Sequence, residues 1–252
     1  MYNFFDFFTR IPREYAFKNF GFEHISTIII IFLFIAFALV LLRKFSDTNR
    51  RNIIKACAIL VPIVEISHNI WLYIVHKSSI VELLSLHLCG MQMYFIPLAV
   101  FTKFKTFKDF IFATSILGGF FGIVFPSGIS DTYPFWHFQT LQTFLYHGLL
   151  IFVPIALLIT TDYKPTLKRF HKVLGLFAII AILALSVDLI FDQNYLFLRT
   201  APDMPLLHNM QITYGTIPYL IFTFFALLAI CILIHLPFDI YAYRKKNLSK
   251  SN

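Results

Sequence analysis

Apolar residues fill stretches of about 20 positions at a time along this chain, the length a helix needs to cross the hydrocarbon core of a bilayer. Seven such stretches can be drawn, at 22–42, 53–75, 80–101, 109–126, 138–160, 172–191 and 217–236. Backbone in lipid must satisfy its own hydrogen bonds, and these runs are far too long for barrel strands, so each predicts a helix. The expected fold is all-α: one polytopic membrane domain over 1–252, a bundle of seven transmembrane helices, with 240–252 as a basic tail. Connections are short except for 192–216, and neither an internal repeat nor a low-complexity segment is visible beyond the tail. A cleaved signal peptide is not expected. The first apolar run follows a mixed segment, exceeds an h-region in length, and meets a basic loop rather than a small-residue cleavage site.

Composition supports the same picture. Only 13% of residues are charged and 58% are hydrophobic, where a soluble domain carries nearer a quarter charged. That leaves no sizeable soluble domain. The net charge of +8 would suit a nucleic acid, but the charges lie in short loops, as membrane orientation produces them. Arg43, Lys44, Arg50, Arg51 and Lys55 surround the first loop, and Lys103, Lys105 and Lys108 the third. Lys164, Lys168, Arg169 and Lys172 surround the fifth, and Arg244, Lys245, Lys246 and Lys250 the tail. The even-numbered loops hold only Lys77 and Arg199. The positive-inside rule then puts the N-terminus outside and the tail in the cytoplasm of a cell membrane. Arg10, Arg13 and Lys18 disagree and are outvoted.

Ionisable and polar groups inside spans are costly and mark candidate function. Cys89 lies nine residues into the third run and His147 nine residues into the fifth. Both runs enter from outside, so at helical rise the two sit at a common depth of roughly 13 Å. On the second run, Glu65, His68 and Asn69 share one helix face. Ser85 and Gln92 would share the face of Cys89, while His87 points elsewhere. Thr143 and Gln139 lie on the side of His147. Asp188 and Asp192 sit four apart near the outer end of the sixth run, and His24 and His137 flank the outer mouth. The inner half shows almost nothing comparable, which suggests a polar cavity open toward the outer leaflet.

A plainer reading exists for each. Buried Ser, Thr, Asn and Gln often only stitch helices together. Cys57 and Cys231 read as small hydrophobes, and His147 beside Gly148 as an interhelical donor. Trp71, Trp136, Tyr133 and Tyr195 read as an interfacial aromatic belt. All three cysteines lie in apolar runs without a CxxC, so neither a disulfide framework nor a metal site is expected; no nucleotide motif is present, and no cofactor is expected.

A thiol beside an imidazole is a nucleophile with its base, and a carboxylate or amide usually orients the imidazole. Glu65, Asn69, Gln92 or Asp188 could supply that group. Acyl transfer from a lipid ester is the natural chemistry at acyl-chain depth, with a phospholipid as the accessible donor.

Several pieces resemble the YwaF family of bacterial integral membrane proteins. They are Gly21-Phe22-Glu23-His24, Glu65 and Trp71, Leu86-His87-Leu88-Cys89-Gly90, His137-Phe138 through His147-Gly148, and Asn194-Tyr195-Leu196-Phe197-Leu198. The resemblance covers nearly the whole chain, although the segment after Pro202 lacks a Trp-rich stretch of the bacterial members. That family is similar to animal multispanning acyltransferases that remodel ether phospholipids with one cysteine and one histidine. The resemblance implies Cys89 and His147 as that pair, and a fatty acyl chain moved between phospholipids.

The expectation is therefore a thiol-dependent lipid acyltransferase or transacylase, with Cys89 as nucleophile and His147 as base. Glu65, His68, Asn69, His87, Gln92, Asp188, His24 and His137 would orient groups or bind substrate. Membrane phospholipids would be its substrates, with no nucleic acid and no obligate protein partner. A lipid-ester hydrolase with the same dyad is the near alternative. A small-molecule binding membrane protein or a proton-coupled transporter, the latter using Glu65, His68 and Asp188, is the alternative of another class; transport is disfavoured by the lack of an inverted repeat or a broken helix.

Overall fold

The computed structural model describes residues 2–202 and 204–248, and the side chains of 2–202 and 204–244. The last residues of the basic tail, 249–252, lie outside the described residues. The described chain is helical, without strands: α1 Phe22–Leu42, α2 Asp47–Trp71, α3 Gln92–Phe101, α4 Lys105–Val124, α5 Phe138–Thr160, α6 Phe170–Phe191, α7 Pro205–Tyr214 and α8 Thr216–Leu248. Six of these are long and apolar enough to cross a membrane; α3, with 10 residues, is not. α8 carries straight on through the start of the expected tail.

The expected third span is where sequence and structure part. Residues 80–101 are not one helix. α2 runs on as a π turn over Leu72–His76, which ends on left-handed Lys77. The chain then descends through turns to α3, with Ser85 at φ +50°. Only Gln92–Phe101 is helical. The apolar composition of 80–91 resembles a helix, but tertiary bonds decide otherwise. Ser85 Oγ donates to Glu65 at 3.0 Å and accepts from Asn69 Nδ2 at 3.1 Å, and Asn69 also donates to Leu83 O. Three α2 contacts thus satisfy backbone and side-chain groups that a helix would have handled itself. Ser85 and Gln92 do not share a helix face with Cys89, and the depth argument for Cys89, which assumed helical rise, does not apply.

The centre of the bundle is α2, α3, α4 and α5, packed through small and branched residues: Ala58, Val61, Ile96, Ala99, Ile111, Leu150 and Val153 are all buried. The α4–α5 contact is the closest. A Cβ at Gly119 would meet Ile151 Cγ1 at 2.7 Å and the His147 carbonyl at 2.8 Å, and Ser115 Oγ donates to Leu150 O at 2.7 Å. Small residues let helices approach in this way where lipid provides no hydrophobic drive. α1 and α8 keep broad apolar faces outward, as lipid contact demands.

Two ends of the bundle can be told apart. At one, residues 2–21 pack as a cap: Phe138 N donates to Phe4 O, Trp71 Nε1 to Phe5 O, and Phe17 exchanges backbone bonds with Asp131 and Tyr133. At the other, buried Asp109 receives Arg169 Nε at 2.6 Å, Arg169 Nη2 at 2.9 Å and Tyr163 Oη at 2.9 Å. Thr166 Oγ1 and Leu167 N donate to Asp239 beside it. Both ends of the bundle therefore carry buried polar groups, where the sequence suggested one end with almost nothing comparable. Burial first, and then the Asp109 carboxylate, push the Tyr163 phenol far above its ordinary range.

Candidate functional site

Cys89 lies in the turn that opens α3. Gln92 N donates to Cys89 O, Met91 N to His87 O and Met93 N to Gly90 O. The turn is gripped from three helices. From α2, Glu65 holds Ser85, and Ser85 packs so closely on Gly90 that a Cβ there would lie 2.8 Å from Ser85 O. From α5, Tyr146 Oη reaches the carbonyls of Cys89 at 2.9 Å and Gly90 at 3.2 Å. From α4, the Gly118 carbonyl accepts the Cys89 thiol at 3.4 Å, and Thr114 accepts from Gln92 Nε2 at 3.1 Å.

His147 follows Tyr146 on α5. Its Nδ1 donates to Thr143 O at 2.7 Å, one turn back on the same helix. With Nδ1 carrying the proton, neutral His147 leaves Nε2 as the free lone pair. The ring lies against α4 at Gly122: a Cβ there would overlap its Nε2 and Cδ2. At Gly118, one turn earlier on the same face, an added Cβ would stand 3.1 Å from Cys89 Sγ. Positions i and i+4 on a helix are neighbours about 6 Å apart. Cys89 and His147 thus approach one glycine-surfaced strip of α4, from the turn before α3 and from α5. They share no hydrogen bond with each other; the thiol rests on Gly118 O.

The remaining candidates divide into three groups. Glu65, Asn69 and Ser85 form a bonded chain that braces the broken segment, with Gln142 alongside donating to Val64 O. His68 stacks near Trp71 and faces Gln139, close to His147. Gln92 anchors the start of α3 to Thr114 and Leu88 O.

His87 and Asp188 form a second cluster. The His87 ring lies 5.1 Å from that of Tyr195 and 5.0 Å from that of Phe197. Asp188 is sealed; its Oδ1 accepts from Tyr195 N at 2.8 Å. Tyr195 Oη in turn donates to Val81 O, and burial pushes that phenol up to about 12, so it donates as the neutral form. Leu196 and Phe197 sit at positive φ, a strained arrangement for non-glycine residues. Asp192 stands apart, exposed and paired with Arg199.

His24 and His137 are occupied at the capped end. His24 accepts from Phe20 N and its Nε2 bonds Ile123 O, tying the start of α1 to the end of α4. His137 caps α5 by accepting from Gln139 N, and its other edge faces the backbone of Asp6.

The reading of the sequence passed over Gly118, Gly122 and Tyr146. The first two carried a signal: small residues four apart in an apolar helix announce close approach. Tyr146 carried none, since a tyrosine in an apolar run looks like core.

Residues 19–236 match the TMEM164 family. The chain belongs to that family. The match spans all of α1 to α7 and most of α8, and with them every candidate site residue; the cap before residue 19 and the tail fall outside it. No curated protein and no solved structure matches the chain. Family membership and the six apolar helices together make it a multi-pass membrane protein.

Proposed function

We propose that the chain is a thiol-dependent lipid acyltransferase in which Cys89 is the nucleophile and His147 its base. The observation that carries this is the approach of the thiol and the Nε2 edge of the imidazole to one strip of α4, one turn apart. Lipid entry swings the thiol from Gly118 O toward Nε2. His147 takes its proton, and the thiolate attacks the ester carbonyl of a phospholipid. The carbonyl carbon–oxygen ester bond breaks, a thioester forms, and the departing lysolipid oxygen recovers the proton from His147. A second lipid hydroxyl then gives its proton to His147, attacks the thioester, and releases the thiolate, which is reprotonated. The peptide N–H groups of Cys89 and Gly90 lie just before the α3 N-cap, Met91, and donate to no backbone carbonyl among the described residues. They serve as donors to the tetrahedral oxyanion. Water in place of the second hydroxyl gives hydrolysis.

In this reading residues 77–101 are a seventh, broken crossing, which puts the N-terminal cap outside and the tail in the cytoplasm of a cell membrane. The test is transfer of a labelled fatty acyl chain from phospholipid to lysolipid by purified protein in vesicles. Cys89→Ala loses it entirely, His147→Ala loses about 10²–10⁴-fold, and the double variant is no worse than Cys89→Ala.

One observation favours a second reading. A discontinuous span with a buried carboxylate beside the break is how transporters build midplane sites, and Glu65 at Ser85 fits that description. The broken span removes one of the two sequence arguments against a transporter. A transporter tolerates Cys89→Ser and fails with Glu65→Gln; the acyltransferase fails with Cys89→Ser.

A further inference from the structure

The Cys89 turn belongs to a stretch that is not helical, so nothing in its own backbone sets its distance to α5. One side chain does. Tyr146 is almost fully buried, with its side chain reaching out of α5 to the carbonyls of two successive residues, Cys89 and Gly90. The next residue on the same helix is His147, whose ring stands edge-on to that of Tyr146 with centroids 5.7 Å apart. The thiol-bearing peptide and the imidazole are therefore referred to the same two residues of one helix. The single hydroxyl proton is shared between the two carbonyls in a three-centre bond, so one side chain bears on both residues of the turn. Glu65 braces the turn from α2 by holding Ser85 of the same broken segment, but Glu65 stands on a different helix from His147 and does not set that spacing.

We propose that Tyr146 is a positioning residue: its hydroxyl holds the Cys89–Gly90 peptide in register with His147. The inference rests on the Cys89–His147 pairing of the acyl-transfer reading and names a residue that acts through that pair without touching substrate.

Tyr146→Phe removes the hydroxyl and keeps the packed ring. The experiment uses full-length protein in phospholipid vesicles, with Cys57→Ala and Cys231→Ala so that Cys89 is the sole thiol. It measures the rate of Cys89 alkylation by N-ethylmaleimide and, in parallel, the rate at which a fatty-acyl adduct forms on Cys89. The expected result is a fall of about ten-fold or more in both rates, the scale of a lost hydrogen bond that sets geometry. In a His147→Ala background the same change has no further effect, because there is no partner left to be aligned with. An equal fall in both backgrounds would mean a structural role only and overturns the proposal, as does a Tyr146→Phe protein that matches wild type. If no acyl adduct forms in wild type while alkylation still shows the coupling to His147, the positioning role stands and the acyl-transfer reading falls.

Discussion

A methyl group placed on Gly122 would land in the imidazole of His147. In the acyl-transfer reading, that contact ties glycine 122 to the proposed base. Gly122→Ala should displace the ring and abolish acyl transfer, read in the labelled-lipid assay, while the protein still purifies as a folded species. Gly175 on α6 is the control, since an added Cβ there meets nothing within 4 Å. Gly175→Ala should leave activity unchanged and stabilise the helix by up to about 1 kcal/mol, read as a small rise in Tm. At this scale the sequence was informative where chemistry shows on the surface of a residue name. A thiol, an imidazole and a carboxylate in apolar runs stand out. Glycines 118 and 122 were legible by their spacing, but Tyr146 was not, because its importance lies in which two carbonyls its hydroxyl meets.

Elements meet here with little slack. Gly119→Ala presses a methyl group against the His147 carbonyl, a backbone atom that cannot turn aside. Overpacking of this kind costs about 1–3 kcal/mol, so Tm should fall, and activity with it as α4 and α5 part. The far end of the bundle is stapled differently. Asp109 is buried, but Arg169 is about a quarter exposed (27%), which screens the pair. Asp109→Asn should cost about 1–3 kcal/mol, seen as a lower Tm with the chemistry otherwise intact. At the capped end, burial holds His137 below the ordinary histidine range, with Asp6 opposing. The sign follows from that direction. The folded state keeps His137 neutral and the unfolded chain takes up the proton first, so stability is full above the ordinary value near 6.5 and falls as pH drops through it. A Tm series from pH 7.5 to 5.5 should therefore decline, and His137→Asn, which can still cap α5, should decline less. The long helices were readable from composition because lipid leaves the backbone few options. The broken span was not: Leu84 to Gly90 is as apolar as its neighbours, and what unwinds it is Glu65 and Asn69, which lie on another helix.

For the whole molecule, the cap over residues 2–21 and the far end of α8 lie at opposite ends of the bundle, and the basic loops cluster with the latter. An odd number of crossings should thus separate the termini: a tag on the N-terminus should be accessible to an impermeant reagent from outside, and one on the C-terminus should not. Detection of both from one side would remove the broken crossing and the orientation together. The Cys89 thioester of the proposed reaction would join site, fold and membrane most directly, and intact-protein mass spectrometry on protein held in native lipid looks for it. Wild type should carry a fatty-acyl adduct that hydroxylamine removes, Cys89→Ala should carry none, and the mass names the chain. A wild-type protein without the adduct, with Cys89→Ala equally competent in moving labelled acyl chains, would contradict the assignment of Cys89 as the nucleophile.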